Sequence, residues 1–158
     1  KNLQAPGKIF ATDYDLGRIG SAYLDKDYVN LWVSDPEKRS EWNSGNQLRN
    51  DGVDIYKNKN NQYYIGKTES GEWLQYTINA KADKAYTFDI NYVSNNAAKI
   101  RIEDASGKQL STVSLASTGG NENWKTVSVK GISLKKGNNK IRIYFENDGV
   151  NLNYFEVK

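Results

Sequence analysis

Three stretches of the chain alternate apolar and polar residues with a period of two, which leaves little room for anything but sheet. In "KAYTFDINYV" (84–93), Tyr86, Phe88, Ile90 and Tyr92 fall on one side, and Thr87, Asp89 and Asn91 on the other. "AKIRIED" (98–104) sets Ile100 and Ile102 against Lys99, Arg101 and Glu103. "NKIRIYFEN" (139–147) sets Ile141, Ile143 and Phe145 against Lys140, Arg142, Tyr144 and Glu146. Successive side chains of a strand point to opposite faces, so each run describes a half-buried strand. Turn-forming clusters separate the runs: "SNNA", "ASGK", "STGGNEN", "KKGNN" and "ENDGVN". Strands at this spacing, without a helical period, predict an all-β chain folded as an antiparallel β-sandwich. The chain has 158 residues, enough for one domain with a sizeable core, and neither repeat nor internal linker divides it.

Residues 16–51 break the pattern. Strand signals are weak there, yet the stretch holds Tyr23, Tyr28, Trp32 and Trp42. Loops of such length are usually functional or packed over a sheet edge. The plainer expectation is that these aromatics anchor the loop to the core.

Charge and missing residue types exclude several functions. The net charge is +3, with lysines scattered among acids, so no basic stripe suggests a nucleic acid partner. No apolar run approaches the roughly 18 residues of a membrane helix, and no membrane partner is expected. Cysteine and histidine are both absent. That removes disulfides, the usual zinc ligands and every catalytic arrangement that needs an imidazole. Carboxylates remain as acid–base candidates: Asp25 and Asp27, Asp51 and Asp54, Glu72, and Glu103 with Asp104. All of them read as ordinary surface or turn acids, and none stands in a calcium-loop spacing, so catalysis is not expected.

What remains is a binding vocabulary of flat aromatics and planar amides. Eleven tyrosines and four tryptophans need a place, and Tyr63, Asn121 and Asn151 lie near predicted strand ends. Aromatic faces stack on the C–H faces of sugars, and amides donate and accept in one plane. A sandwich gathers its loops at two ends, where such residues can meet.

Several segments together resemble a family 6 carbohydrate-binding module. They are "RNDGVDI" (49–55), "YYIGKTESGEWLQYTI" (63–78), "KIRIEDASGKQL" (99–110), "STGGNENWKTVSV" (117–129), "ISLKKGNNKIRIYF" (132–145) and "VNLNYFEV" (150–157). The resemblance implies a jelly-roll β-sandwich of the galactose-binding-like type, without catalytic activity, acting as a monomer. It further implies excision from the C-terminal part of a secreted glycoside hydrolase that the module targets to xylan, β-glucan or agarose-like polysaccharide. In the family's main site a tyrosine, matched by Tyr63, and a tryptophan clamp a sugar, while an asparagine matched by Asn151 bonds its hydroxyls.

Two departures bear on that site. Asn121 stands where the family tryptophan follows the Gly-Gly pair, and Trp124 matches a second tryptophan position, expected to be structural. Lys67 stands where relatives often carry an aromatic. Three outcomes follow from the missing ring. Trp42 or Trp32 replaces it, binding moves to a concave sheet face with Trp73 and Gln75, or the chain is a structural or interaction domain with weak or lost glycan binding. The resemblance also implies one structural Ca2+, but its positions hold Phe10, Thr12 and Asn153, an uncharged set that would hold calcium weakly. Asp13, Asp25 and Asp27 are the acids left to form another site.

Overall fold

The computed structural model describes residues 1–26, 43, 45, 47–49 and 51–158. The described residues form twelve strands and one 3-10 turn, Ala11–Asp13. The strands are β1 (Leu3–Ala5), β2 (Gly7–Phe10), β3 (Tyr23–Leu24), β4 (Ile55–Lys57), β5 (Tyr63–Ile65) and β6 (Trp73–Ala80). They continue as β7 (Lys84–Ser94), β8 (Ala98–Asp104), β9 (Gln109–Leu115), β10 (Lys125–Leu134), β11 (Gly137–Phe145) and β12 (Val150–Val157). One sheet runs β1-β6-β11-β8-β9 with β3 also on β6; the other runs β10-β7-β12-β5-β4 with β2 also on β12. Pairing is antiparallel except for β1 along β6. This is the expected β-sandwich.

The inward sets read from the alternation form its core. Tyr86, Phe88, Ile90 and Tyr92 of β7 are buried, as are Ile100 and Ile102 of β8 and Ile141, Ile143 and Phe145 of β11. The two sheets meet ring on ring. Tyr76 of β6 abuts Phe155 of β12 edge-on at 5.0 Å, and Phe155 stacks on Phe88 at 5.6 Å. The Tyr76 hydroxyl donates to the Ala11 carbonyl at 2.7 Å, so this buried polar tip is satisfied. One strand defeats simple alternation. β12 shifts register between Leu152 and Tyr154, leaving Asn153 as the extra residue of a bulge. The shift lets Leu152 and Phe155, three positions apart, both reach the core.

Within residues 16–51, Tyr23 does anchor to the core. It is buried in β3, which pairs with β6, and meets the Tyr14 ring edge-on at 5.8 Å. Further along, the Arg49 guanidinium lies over the Tyr14 ring, 3.4 Å from its centroid. It donates to the carbonyls of Tyr14 at 2.6 Å, Asp15 at 3.2 Å and Thr12 at 3.5 Å, and pairs with Asp51 at 3.0 Å. Asp51 in turn accepts the Tyr14 hydroxyl at 2.5 Å. The 49–51 segment is thus fixed to the 12–15 segment by a planar fork and a shared carboxylate. Tyr28, Trp32 and Trp42 lie outside the described residues, as does Asp27.

Candidate functional site

One rim of the sandwich brings together β4, β5, the start of β12 and the turn between β9 and β10. The β4–β5 ladder sets Tyr56 opposite Tyr64, with ring centroids 5.8 Å apart. Tyr64 also meets Trp124 edge-on at 5.3 Å, giving a row of three rings. Gly66 lies against this row. A Cβ there would stand 2.8 Å from a Tyr56 ring carbon and 3.2 Å from one of Tyr64, so only glycine lets the rings sit this close. Burial, followed by the charge of Glu122, raises the pKa of the Tyr64 phenol, which keeps its hydroxyl neutral as donor and acceptor.

Two asparagines reach the same place from different elements. Asn151 sits in β12 opposite Val93, and its neighbour Leu152 pairs with Ile65, so alternation turns Asn151 away from the core. Asn121 comes from the Gly-Gly turn, where Gly119 takes φ 75°. That turn is fastened to the one following β7: Thr118 N donates to the Ser94 carbonyl at 2.8 Å, Ser117 Oγ to the Asn95 carbonyl at 2.7 Å, and Asn95 Nδ2 to Asn121 Oδ1 at 2.8 Å. The Asn121 amide NH2 is therefore oriented by a bond to its own oxygen. Tyr56, Tyr64, Gly66, Lys67, Asn121 and Asn151 together line an open depression of about 290 Å³.

The expected tyrosine, Tyr63, does not line this depression. Tyr63 shares strand parity with buried Ile65 and packs against the core, with the Lys57 amine 4.8 Å from its ring centroid. The ring in the depression is Tyr64. Parity was a usable signal: in "DIYK" and "YYIG" the inward isoleucines, Ile55 and Ile65, already turn Tyr56 and Tyr64 outward. Trp42, the expected replacement ring, lies outside the described residues. Trp124 precedes β10 and is half-buried against Tyr64, in keeping with a structural role.

The sheet-face candidates are corrected too. Trp73 is only 8% exposed, and the Arg142 guanidinium covers its ring at 3.9 Å. Gln75 is buried, donating to Asp15 at 3.1 Å and accepting from Arg142 at 3.1 Å. A ring under a cation and an amide with both ends engaged offer no stacking platform.

The acids are occupied with the fold. Glu103 pairs with Arg101, Asp104 closes the β8–β9 turn by accepting from Ser106 and Lys108, and Asp51 holds Arg49 and Tyr14. Glu72 accepts the backbone N–H groups of Lys26 and Glu69, each at 2.9 Å. Its own burial and the charge of Asp25 lift its pKa to about 8. Among the described residues no group of three or more Asp, Glu, His or Cys could hold a metal ion. The positions implied for calcium do not fit it. Phe10 lies beneath the Lys1 and Lys8 amines at 5.7 and 5.4 Å, and the Asp13 carboxylate is taken by Lys1 at 2.7 Å. The Asn153 oxygen is buried without a partner, but one neutral acceptor is a poor cage for a divalent cation.

A family model described as carbohydrate binding module (family 6) matches residues 46–158. The chain belongs to family 6 of the carbohydrate-binding modules. Family 6 modules are non-catalytic, which agrees with acids spent on structure. The fold agrees as well. The chain is 20% identical to CsCBM6-3 from Clostridium stercorarium, solved with cellobiose, with a TM-score of 0.72 over 100% of this chain and 97% of that one. It is 18% identical to a β-1,3-glucan binding family 6 module from Bacillus halodurans, with a TM-score of 0.67 over 100% and 99%. A family 43 arabinoxylan arabinofuranohydrolase from Bacillus subtilis, solved with cellotetraose, is 17% identical with a TM-score of 0.64; the match covers 100% of this chain and 28% of that one. Among curated proteins no sequence matches.

Proposed function

We propose that this family 6 module holds a β-linked polysaccharide, such as xylan or a β-glucan, at the rim formed by Tyr56, Tyr64, Asn121 and Asn151. In this reading it keeps a linked, secreted glycoside hydrolase at its substrate. The observation that carries the reading is convergence: two planar amides, one from a turn and one from β12, and two tyrosine rings share one open depression. Amides bond hydroxyls in their plane and rings take up sugar C–H faces, each stack adding about 0.5–1.5 kcal/mol beyond area burial. The rim is shallow and its affinity is expected to be weak. A covalent link compensates, because tethering raises the effective concentration of the catalytic domain at the polymer. Solved neighbours in complex with cellobiose and cellotetraose support the substrate class, and the hydrolase neighbour supports the linkage.

Affinity electrophoresis across xylan, β-1,3-glucan, mixed-linkage glucan, mannan, galactan and agarose tests it. Retardation by at least one β-linked polymer, relieved by Asn151→Ala, is the expected result. Unretarded migration in all of them would overturn the proposal.

A further inference from the structure

Lys99, Ser114, Glu146 and Asn147, together with the buried Ala98 and Leu115, line a second open depression of about 460 Å³. It lies at the same end of the sandwich as the Tyr64 depression, but over β8, β9 and β11 of the first sheet instead of β4, β5 and β12 of the second. Two connections have residues in both. The β9–β10 turn leaves Leu115 in one depression and brings Asn121 to the other. The β11–β12 turn likewise leaves Glu146 and Asn147 in one and brings Asn151 to the other. The β7–β8 turn joins the two as well: Asn95 holds Asn121 at 2.8 Å, and the chain runs on to Ala98 and Lys99.

The polar groups of this second depression suit sugar hydroxyls. Lys99 N donates to Asn147 Oδ1 at 2.8 Å, which fixes that amide as Asn95 fixes Asn121 and leaves its NH2 as the donor. Lys99 and Ser114 are exposed, and the Ser114 hydroxyl both donates and accepts. Glu146, whose carboxylate stands 3.4 Å from Arg101, supplies an acceptor. Among the described residues no aromatic side chain lines this depression, so it has no face on which to stack a sugar alone. It suits a chain already seated on the rings of the first. Packed sheets lie about 10 Å apart, so one sugar does not reach from one rim to the other.

We infer that the second depression is a further carbohydrate subsite, with Lys99, Ser114, Glu146 and Asn147 bonding the hydroxyls of sugars further along the polymer held at Tyr64. The module thereby reads a stretch of chain laid across the sandwich end, not a single sugar. The inference rests on the carbohydrate-binding reading above and extends it.

Calorimetric titration with xylo-oligosaccharides and with β-1,4- and β-1,3-linked gluco-oligosaccharides, from two to six units long, tests it. In the parent protein, affinity should rise about five- to tenfold between the disaccharide and the longer members of at least one series, the range of one or two net hydrogen bonds. The rise should shrink in Lys99→Met and in Asn147→Asp, while the affinity for the disaccharide stays at the parent's. The aspartate keeps the acceptor for Lys99 N and removes only the NH2, and Lys99→Met changes an exposed side chain, so the two variants check each other's folding. Affinity that does not grow beyond the disaccharide, a rise that survives both substitutions, or an equal loss at every length would overturn the inference and leave the Tyr64 site intact. No binding of any oligosaccharide would overturn both.

Discussion

Tyr64 and Trp124 meet edge to face, 5.3 Å between centroids with planes at 67°, and this contact ties β5 to the segment entering β10. Tyr63, the preceding residue, packs against the core. The two neighbours therefore separate binding from folding. Tyr64→Ala should weaken polysaccharide binding by about two- to tenfold, the worth of one stacking ring. Tyr63→Ala should lower stability and leave the affinity of the folded fraction close to the parent's. Affinity gels paired with urea denaturation check both arms. The opposite assignment, with Tyr63→Ala abolishing binding, would move the site off this rim.

Gly66 supports the same rings by having no side chain. The clash of an added Cβ is with ring carbons of Tyr56 at 2.8 and 3.0 Å and of Tyr64 at 3.2 Å. Overpacking of this sort costs about 1–3 kcal/mol. Gly66→Ala should therefore lower the denaturation midpoint and weaken binding together, since both rings must shift. Retained affinity in a destabilised Gly66→Ala protein would show that ring placement is not what the ligand reads.

Strand parity made the sandwich and much of its core legible in the sequence, because period-two alternation maps directly onto faces. Parity was equally available for Tyr64, and matching a motif by family position selected Tyr63 instead. Three features could not be read. The β12 bulge at Asn153 resets parity through backbone register, which no local pattern announces. Arg142 over Trp73 joins residues 69 positions apart in neighbouring strands, so an apparently exposed ring is covered. The orienting bond from Asn95 to Asn121 depends on two turns meeting at the rim.

Arg49 replaces several weak links with one fork. Its side chain is 13% exposed and serves three carbonyls, a carboxylate and the Tyr14 ring. Removing one partner of a buried pair leaves the other uncompensated, at about 3–5 kcal/mol. Arg49→Ala should lose stability on that scale. Arg49→Lys should recover little, because a single ammonium cannot span the same acceptors. A double-mutant cycle with Asp51→Asn, read by chemical denaturation, should show coupling of about 0.5–3 kcal/mol. Additive effects would mean that the pair is not a unit.

The same clamp and the lysines beside Phe10 bear on metal dependence. An internal guanidinium already gathers the carbonyls of Thr12, Tyr14 and Asp15, and no carboxylate stands at the positions of Phe10, Thr12 and Asn153. Thermal melting in excess EDTA and in millimolar Ca2+ should therefore give the same Tm. A binder at a hundred times its Kd would add about 2.7 kcal/mol and shift the melt visibly.

Glu72 sets a pH dependence whose sign follows from its environment. Burial first, then Asp25, raises its pKa from 4.5 to about 8 in the fold. Between those values the folded chain holds a proton that the unfolded chain has released, so this group's contribution is complete below about 4.5 and declines as pH rises through 8. Above that the loss levels off. Glu72→Gln should cost stability outright, because an amide NH2 then faces a backbone N–H of Lys26 or Glu69. It should nevertheless flatten the decline across that window. Melts of both proteins from pH 4 to 9 in one buffer series give the difference curve directly. Parallel Tm profiles for the two would show that Glu72 is ionised in the fold throughout, and that its carboxylate is better solvated or paired than its burial beside Asp25 implies.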